Sequence, residues 1–536
     1  MKQTLQFVLL ITIAVWAVGC GDGDKKYPVA KGDAKADSFV VESRPFEIGS
    51  EHFEADFGTI TVPENRGKPA SRLISIPFLR IRAHSENPDE PIFGLTGGPG
   101  MSNMSWNWGK ARSFLSEHDF VLVGYRGVDG STVLDCPEVT KAFKGHGDLL
   151  GEESMRAIGR AWSASAERLT AEGVDLDGYS MLEVIQDNES VRRALRYERI
   201  HLLSESYGTR VAYLYGLEHP ERISRSAMIG VNPPGRFVWE PRVLDAQLKH
   251  YAALWSKDSL VATKSRDLSA TMQTVLNAMP HSWLFFSIDP GKVRVVTFAL
   301  LFHRGSAAMV FDAYIAAEQG DPSGLALMSL AYDFVLPSMM TWGDLASKAV
   351  SADFDSARDY SPEMDPSDLP LGSPMGKLLW GPLRYGKWPM ERLPEKLRKP
   401  RESGVETLLL SGSVDFSTPA ENATNDLLPY LKNGKQVILS ECGHVDDLWY
   451  ANGENTKFIL TSFYKTGVPN TSMNSYMPMD FSVSWGFPTI AKVAVGVVFI
   501  VGMGLVTVLV WFIRRYRRRR TPEMISNGTN GMQQTS

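Results

Sequence analysis

Apolar and polar residues alternate along "HFEADFGTITVP" from His52 and "RLISIPFLRIRAH" from Arg72, and a period of two predicts a pair of early antiparallel strands. The rhythm then changes. "PIFGL" from Pro91 and "HDFVLV" from His118 are short continuous apolar runs, each entering a glycine-rich loop, as strands buried on both faces do. "SMLEVIQDNESVRRALRY" from Ser180 has helical spacing, with Ile185, Val191 and Leu195 on one side. "RIHLLSESYG" from Arg199 reads as a strand ending in a turn, and "TRVAYLYGLEHP" from Thr209 as the helix leaving it. "SRSAMIGVNPPG", "VETLLLSGSVD" and "KQVILSECGH" supply three more strands. Strands alternating with helices predict an α/β fold with a mostly parallel central sheet flanked by helices. Between 236 and 403 the strand rhythm stops. Met, Trp, Phe and Ala recur there at helical spacing, as in "SAAMVFDAYIAAEQGDPSGLALMSLAYDF", which predicts a helical cap inserted between two sheet strands. Its aromatics are expected to fill a core, with a minority lining a pocket.

The ends carry a different pattern. Residues 1–20 join a lysine, an apolar run and small residues before Cys20, the layout of a secretory signal. The "AVGC" ending resembles a bacterial lipoprotein box with Cys20 as the lipidated residue, although Ala17 stands where leucine is usual. The alternatives are an ordinary signal peptide or an uncleaved anchor. Residues 21–45 are polar and read as a linker. Residues 493–513 carry no charge over a length that spans a bilayer core, and "RRYRRRR" follows at once from Arg514. This predicts a transmembrane helix after a juxtamembrane linker (467–492), a basic cytoplasmic tail (514–536), and a main body outside the cytoplasm at the inner or plasma membrane. The α/β body is expected in two parts, 46–235 and 404–466, around the cap.

With 536 residues, 43% hydrophobic, 22% charged and a net charge of −5, the chain is ordinary globular material with one membrane segment, and not a general nucleic-acid binder. Only Cys20, Cys136 and Cys442 are present, which excludes a cysteine-based metal site. Cys136 and Cys442 are candidates for a disulfide, since both fall outside the cytoplasm; two buried thiols are the alternative.

Candidate chemistry centres on "SESYG". The pattern G-x-S-x-G marks a nucleophile elbow, and here Ser204 replaces the first glycine while Gly208 keeps the second. A nucleophilic Ser206 requires a base and an orienting acid, in the chain order Ser, Asp, His. Among the ten histidines only His444, after the strand "VILSE", can follow an acid placed beyond the cap. Asp415, just past "LLLSGSV", is that acid. Acyl transfer also needs oxyanion donors. The N–H of Tyr207 is one, and Gly97 or Gly98 of "TGGPG" the second.

These motifs together resemble the prolyl and tripeptidyl aminopeptidases of the α/β-hydrolase fold. The resemblance covers residues 51–464 and rests on "GGPG", "YRGVDGST", "DNESVRRAL", "SYGT", "AAEQGD" and "SGSVDFSTP…CGH" in that order. Thr96 departs from the family's usual histidine before the double glycine, and Gly124 from its frequent aspartate before Arg-Gly. What the resemblance implies is release of short N-terminal pieces from peptides, with the cap excluding long chains and carboxylates receiving the free amine. Glu205 is a candidate for that role, or a salt-bridged elbow residue; Asp312, Glu318 and Asp321 in the cap are further candidates. No metal or organic cofactor is expected, and the expected partners are a peptide or small ester and the membrane. An esterase or lipase on the same triad is the alternative, and a non-catalytic surface binding protein a third reading.

Overall fold

The computed structural model describes residues 27–29, 32–145, 147–451 and 453–519. The expected signal segment with Cys20 and the tail beyond residue 519 lie outside the described residues.

Nine strands form one sheet in the order β1-β2-β3-β5-β4-β6-β7-β10-β11. They are β1 (Phe39–Ile48), β2 (Glu51–Pro63), β3 (Leu73–Ile81), β4 (Asp89–Leu95), β5 (His118–Val123), β6 (Ile200–Glu205), β7 (Ile223–Ile229), β10 (Glu406–Gly412) and β11 (Gly434–Leu439). The two-residue strands β8 (Ser282–Trp283) and β9 (Phe286–Ser287) pair separately in the cap. β1, β2, β3 and β5 pair antiparallel in turn, while every pairing from β5 through β11 is parallel. The parallel strands read as unbroken apolar runs because both faces are covered. Phe93, Leu95, Val121 and Val123 enter the core on one face, and Ile92, Phe120 and Leu122 the core on the other. Each such side chain contributes about 1.5–3 kcal/mol of burial.

β1 corrects the expected linker 21–45, whose last residues it takes into the sheet. It is a mostly exposed edge strand interrupted by Pro45, so it lacks the alternation that reveals a half-buried strand.

Six helices frame the site and the C-terminal apolar segment: α1 (Met181–Ala194), α2 (Tyr207–Glu218), α3 (Arg304–Glu318), α4 (Ser323–Val335), α5 (Trp342–Asp353) and α6 (Phe487–Arg519). α1 buries Ile185 and Val191 as its spacing requires, and also buries Asp187, whose carboxylate pairs with Arg126 and Arg66. Between β7 and β10 the chain is helical apart from the β8–β9 ladder.

α6 has a 30-residue stretch, Phe487–Tyr516, that holds an 18-residue window of mean hydropathy 2.8 and is long and apolar enough to cross a membrane. It begins six residues before the expected 493, because its first two turns are not free. Pro488 packs against Gly324 on α4, and Lys492 pairs with Asp321 at 2.5 Å. The expected juxtamembrane linker is likewise packed. Phe481 is buried with its ring 5.3 Å from Trp255 and 6.2 Å from Phe311, and Tyr476 and the Met479 N–H both donate to Glu441.

Candidate active site

The turn from β6 into α2 forces Ser206 to φ 51°, ψ −120°, a left-handed conformation that costs a non-glycine residue about 1–3 kcal/mol. Neighbouring contacts hold it there: the Ser206 N–H donates to Ile229 O (2.8 Å) and the Thr209 N–H to Ser206 O (3.0 Å). The chain can turn this sharply because Gly208 has no side chain; a Cβ there would lie 2.1 Å from Leu95 O. Ser204, the odd letter of the motif, stays within β6, fully buried, and donates its Oγ to Ala227 O on β7 at 3.1 Å. The substitution adds a strand-to-strand hydrogen bond where glycine would add none.

Three loops that follow parallel strands meet at this bend. Ser206 Oγ lies 3.0 Å from His444 Nε2, and His444 Nδ1 lies 2.8 Å from Asp415 Oδ2. This arrangement fits an Nδ1–H donated to Asp415, leaving Nε2 to accept from Ser206. Asp415 is fully buried and saturated: it accepts the N–H groups of Ser417 (2.9 Å) and Thr418 (2.8 Å) and the Thr418 hydroxyl (2.8 Å). The "DFSTP" sequence is thus a turn and a proton-relay support at once. His444 is fixed through its backbone, whose N–H donates to Phe302 O in the cap (2.7 Å). Gly230 gives the ring room, since a Cβ there would approach His444 Cε1 to 3.1 Å.

Of the expected oxyanion groups, Tyr207 is the first residue of α2, where backbone N–H groups have no intrahelical acceptor and the helix end is positive. Gly97 lies directly over the serine: a Cβ on it would be 2.6 Å from Ser206 Cβ. Gly98 adopts φ +75° beside Met101. The core side of this loop is tied by Asn103, whose Nδ2 donates to Gly94 O and Val123 O while its Oδ1 accepts the Thr96 N–H. Asp129 accepts the N–H groups of Asn103 (2.9 Å) and Tyr125 (2.7 Å), and burial pushes its carboxyl up to about 6. The departures at Thr96 and Gly124 fit this frame. Both backbone groups of Thr96 are taken, and a Cβ on Gly124 would meet Asp129 Cβ at 2.7 Å.

Glu205 is drawn into a cluster of its own. Lys110 Nζ reaches its two oxygens at 3.0 and 3.3 Å, Trp449 Nε1 donates to it at 2.6 Å, and Lys110 also holds Asp446 at 3.1 Å. It is a salt-bridged elbow residue, not a free carboxylate. Asp312 lies midway along α3, and Glu318 and Asp321 lie at or beyond its far end. That helix starts beside His444, so Glu318 at its end is about 20 Å along the axis. Glu318 accepts from Thr271, Asp321 pairs with Lys492, and Asp312 packs against Gly486.

The candidate disulfide is absent. Cys136 and Cys442 are buried free thiols in the two cores on opposite faces of the sheet, and burial pushes them up to about 12 and about 11. Asn103, Asp129, Lys110 and Trp449 support the site without any spacing in the sequence that marks them.

Where Pro99 of the glycine-rich loop meets the cap, a small apolar cavity of about 30 Å³ is lined by Pro99, Phe237, Trp239, Ala349, Trp380 and neighbouring apolar residues, with no carboxylate among them.

Residues 90–292 match the family profile described as alpha/beta hydrolase fold. The chain has an α/β-hydrolase fold. Within it, 207 residues are 27% identical to a tripeptidyl aminopeptidase of Streptomyces lividans, over 35% of this chain and 37% of that protein. The tripeptidyl aminopeptidase of Streptomyces coelicolor matches with the same identity and coverage. The match therefore spans little more than a third of either relative's length. A solved meta-cleavage product hydrolase of Pseudomonas fluorescens is 13% identical, covering 74% of this chain and 95% of that one, with a TM-score of 0.35.

Proposed function

We propose that this α/β-hydrolase-fold chain is a serine hydrolase held at a membrane by α6, with its catalytic region outside the cytoplasm, and that it releases short pieces from the N-termini of peptides. The observation that carries the hydrolase reading is the relay Ser206–His444–Asp415, with two hydrogen-bond links of 3.0 and 2.8 Å. Ser206 Oγ attacks the substrate carbonyl carbon and its proton passes to His444 Nε2. Asp415 steadies the resulting imidazolium through Nδ1–H. The oxyanion is received by the N–H of Tyr207 and of Gly97 or Gly98, and the leaving group takes the proton from Nε2. Water, deprotonated by the same nitrogen, then cleaves the acyl-enzyme.

The peptidase half of the proposal rests on the tripeptidyl aminopeptidase relatives. A specific observation favours a second reading, ester hydrolysis: the cavity that Pro99 of the glycine-rich loop lines is apolar and Glu205 is already paired.

The test uses the full chain in detergent, with Ser206→Ala as control. Hydrolysis of a chromogenic Ala-Ala-Pro amide with a free N-terminus is compared with its N-acetylated twin and with a short-chain ester. Serine-dependent cleavage of the free-amine peptide alone supports the aminopeptidase. Cleavage of the ester with indifference to both peptides selects the second reading. Cleavage that survives Ser206→Ala refutes the nucleophile.

A further inference from the structure

We propose that the cap sets the geometry of the oxyanion loop, with Asp344 of α5 as the positioning residue and Lys348 as its charge partner. The proposal rests on the reading of Ser206 as nucleophile and of Gly97 and Gly98 as oxyanion donors. Those two glycines sit between two anchors. Thr96 belongs to the core, its N–H held by Asn103 and its carbonyl by the Tyr125 hydroxyl. Gly100 belongs to the cap. Its N–H donates to Asp344 Oδ2 at 3.1 Å, and its carbonyl accepts the Thr341 N–H at 2.8 Å. The first turn of α5 and the residue preceding it thus grip both polar groups of one residue, and Gly100 must be glycine to be gripped. It has φ +87°, and a Cβ there would lie 2.6 Å from Thr341 O.

The carboxylate holding this loop is unusual in its setting. Asp344 and Lys348 are both fully buried and paired one turn apart on α5. Lys348 Nζ also donates to Arg126 O at 3.3 Å, and a Cβ on Gly127 would come within 2.6 Å of Asp344 Oδ1. The pair therefore touches two core loops, one carrying the oxyanion donors and one carrying Arg126. Burial pushes the Asp344 carboxyl up and the Lys348 ammonium down, and each partner's charge works against the other's shift. Replacing such a pair with apolar groups is often neutral for stability, whereas removing one member strands a charge. A charged acceptor makes a stronger hold on the Gly100 N–H than a neutral one. The donors at 97 and 98 are consequently in register with Ser206 only while the start of α5 is seated against this loop.

The test compares two double variants that leave no stranded charge. Asp344→Leu with Lys348→Met removes the acceptor. Asp344→Asn with Lys348→Met keeps a neutral acceptor for the Gly100 N–H. On whichever substrate the wild-type chain cleaves, the first should lose about 10²-fold in kcat with KM within about twofold, the size of a lost oxyanion donor, and the second should recover most of that loss. Hydrogen exchange of the segment 95–101 supplies a readout independent of turnover: it should rise in the first variant and stay near wild type in the second. Equal kcat losses in both variants, or unchanged exchange in the first, would overturn the proposal. Absence of serine-dependent turnover in the wild type, with the exchange difference present, would instead count against the reading of Ser206 and leave the cap-to-loop coupling standing.

Discussion

On one flank of Ser206, Glu205 meets Lys110, Trp449 and Asp446, and every charge has its partner inside the protein. On the other flank, Pro99 opens onto a pocket whose walls are aromatic and aliphatic. Proximity in sequence favours the first flank, because a carboxylate next to a nucleophile suggests a substrate contact. The folded chain favours the second. A polar group already saturated has nothing left to offer a ligand, while an apolar wall with space before it gains from being covered. Chemistry next to a nucleophile is informative only once its own hydrogen bonds have been counted.

The largest expected effect comes from breaking the charged flank. Burial works against the charge on Lys110, but Glu205 and Asp446 outweigh it and its ammonium is held above the usual lysine range. Lys110→Met leaves Glu205 buried without its cation and should cost about 3–5 kcal/mol in urea unfolding. A loss below about 1 kcal/mol would mean that Trp449 alone satisfies the carboxylate. Beneath the loop that joins the flanks, Asp129 gives a pH signature. Its carboxyl is raised to about 6, above its unfolded value, so the folded state binds the proton more tightly. Its stabilising contribution is complete below about pH 3.9 and is lost as pH rises through about 6. Asp129→Asn should flatten this part of the stability–pH curve by an amount of order 3 kcal/mol, checked by denaturant midpoints between about pH 4 and 7.

Filling the apolar flank should cost less. Ala349→Phe occupies the pocket and should lower kcat/KM for substrates with a bulky apolar acyl group about 10- to 100-fold, sparing an acetyl ester. Equal losses for both would place the acyl group elsewhere. The smallest effect is expected at Ser204→Gly, which restores the common elbow letter. It removes one strand-to-strand hydrogen bond and adds a flexible residue to β6, for a thermal destabilisation of about 1–2 kcal/mol with kcat unchanged.

The parallel strands are legible in the sequence because burial on both faces leaves continuous apolar runs, and β1 is not because little of it is buried. Ser206, Asp415 and His444 can be assembled from chain order and strand ends, since the fold admits only one order. Their supports cannot. Asn103, Lys110 and Thr418 act by reaching across loops, and only the folded backbone sets those distances. In sequence the apolar stretch begins after Lys492, because a charge interrupts it. In the folded chain that charge is answered by Asp321, so the helix continues back to Phe487.

The packed entry into α6 decides where the chain can be cut. Met479 and Phe481 are buried, Phe481 against Trp255 and Phe311, and the Met479 N–H and Tyr476 are bound to Glu441, three residues before His444. A protease or a stop codon placed anywhere from 474 to 487 would therefore not separate an intact body from the apolar helix. It would uncover cap aromatics and slacken the loop that carries the histidine. Separation without damage requires a cut beyond Lys492, the last residue that ties the helix to the body, through Asp321.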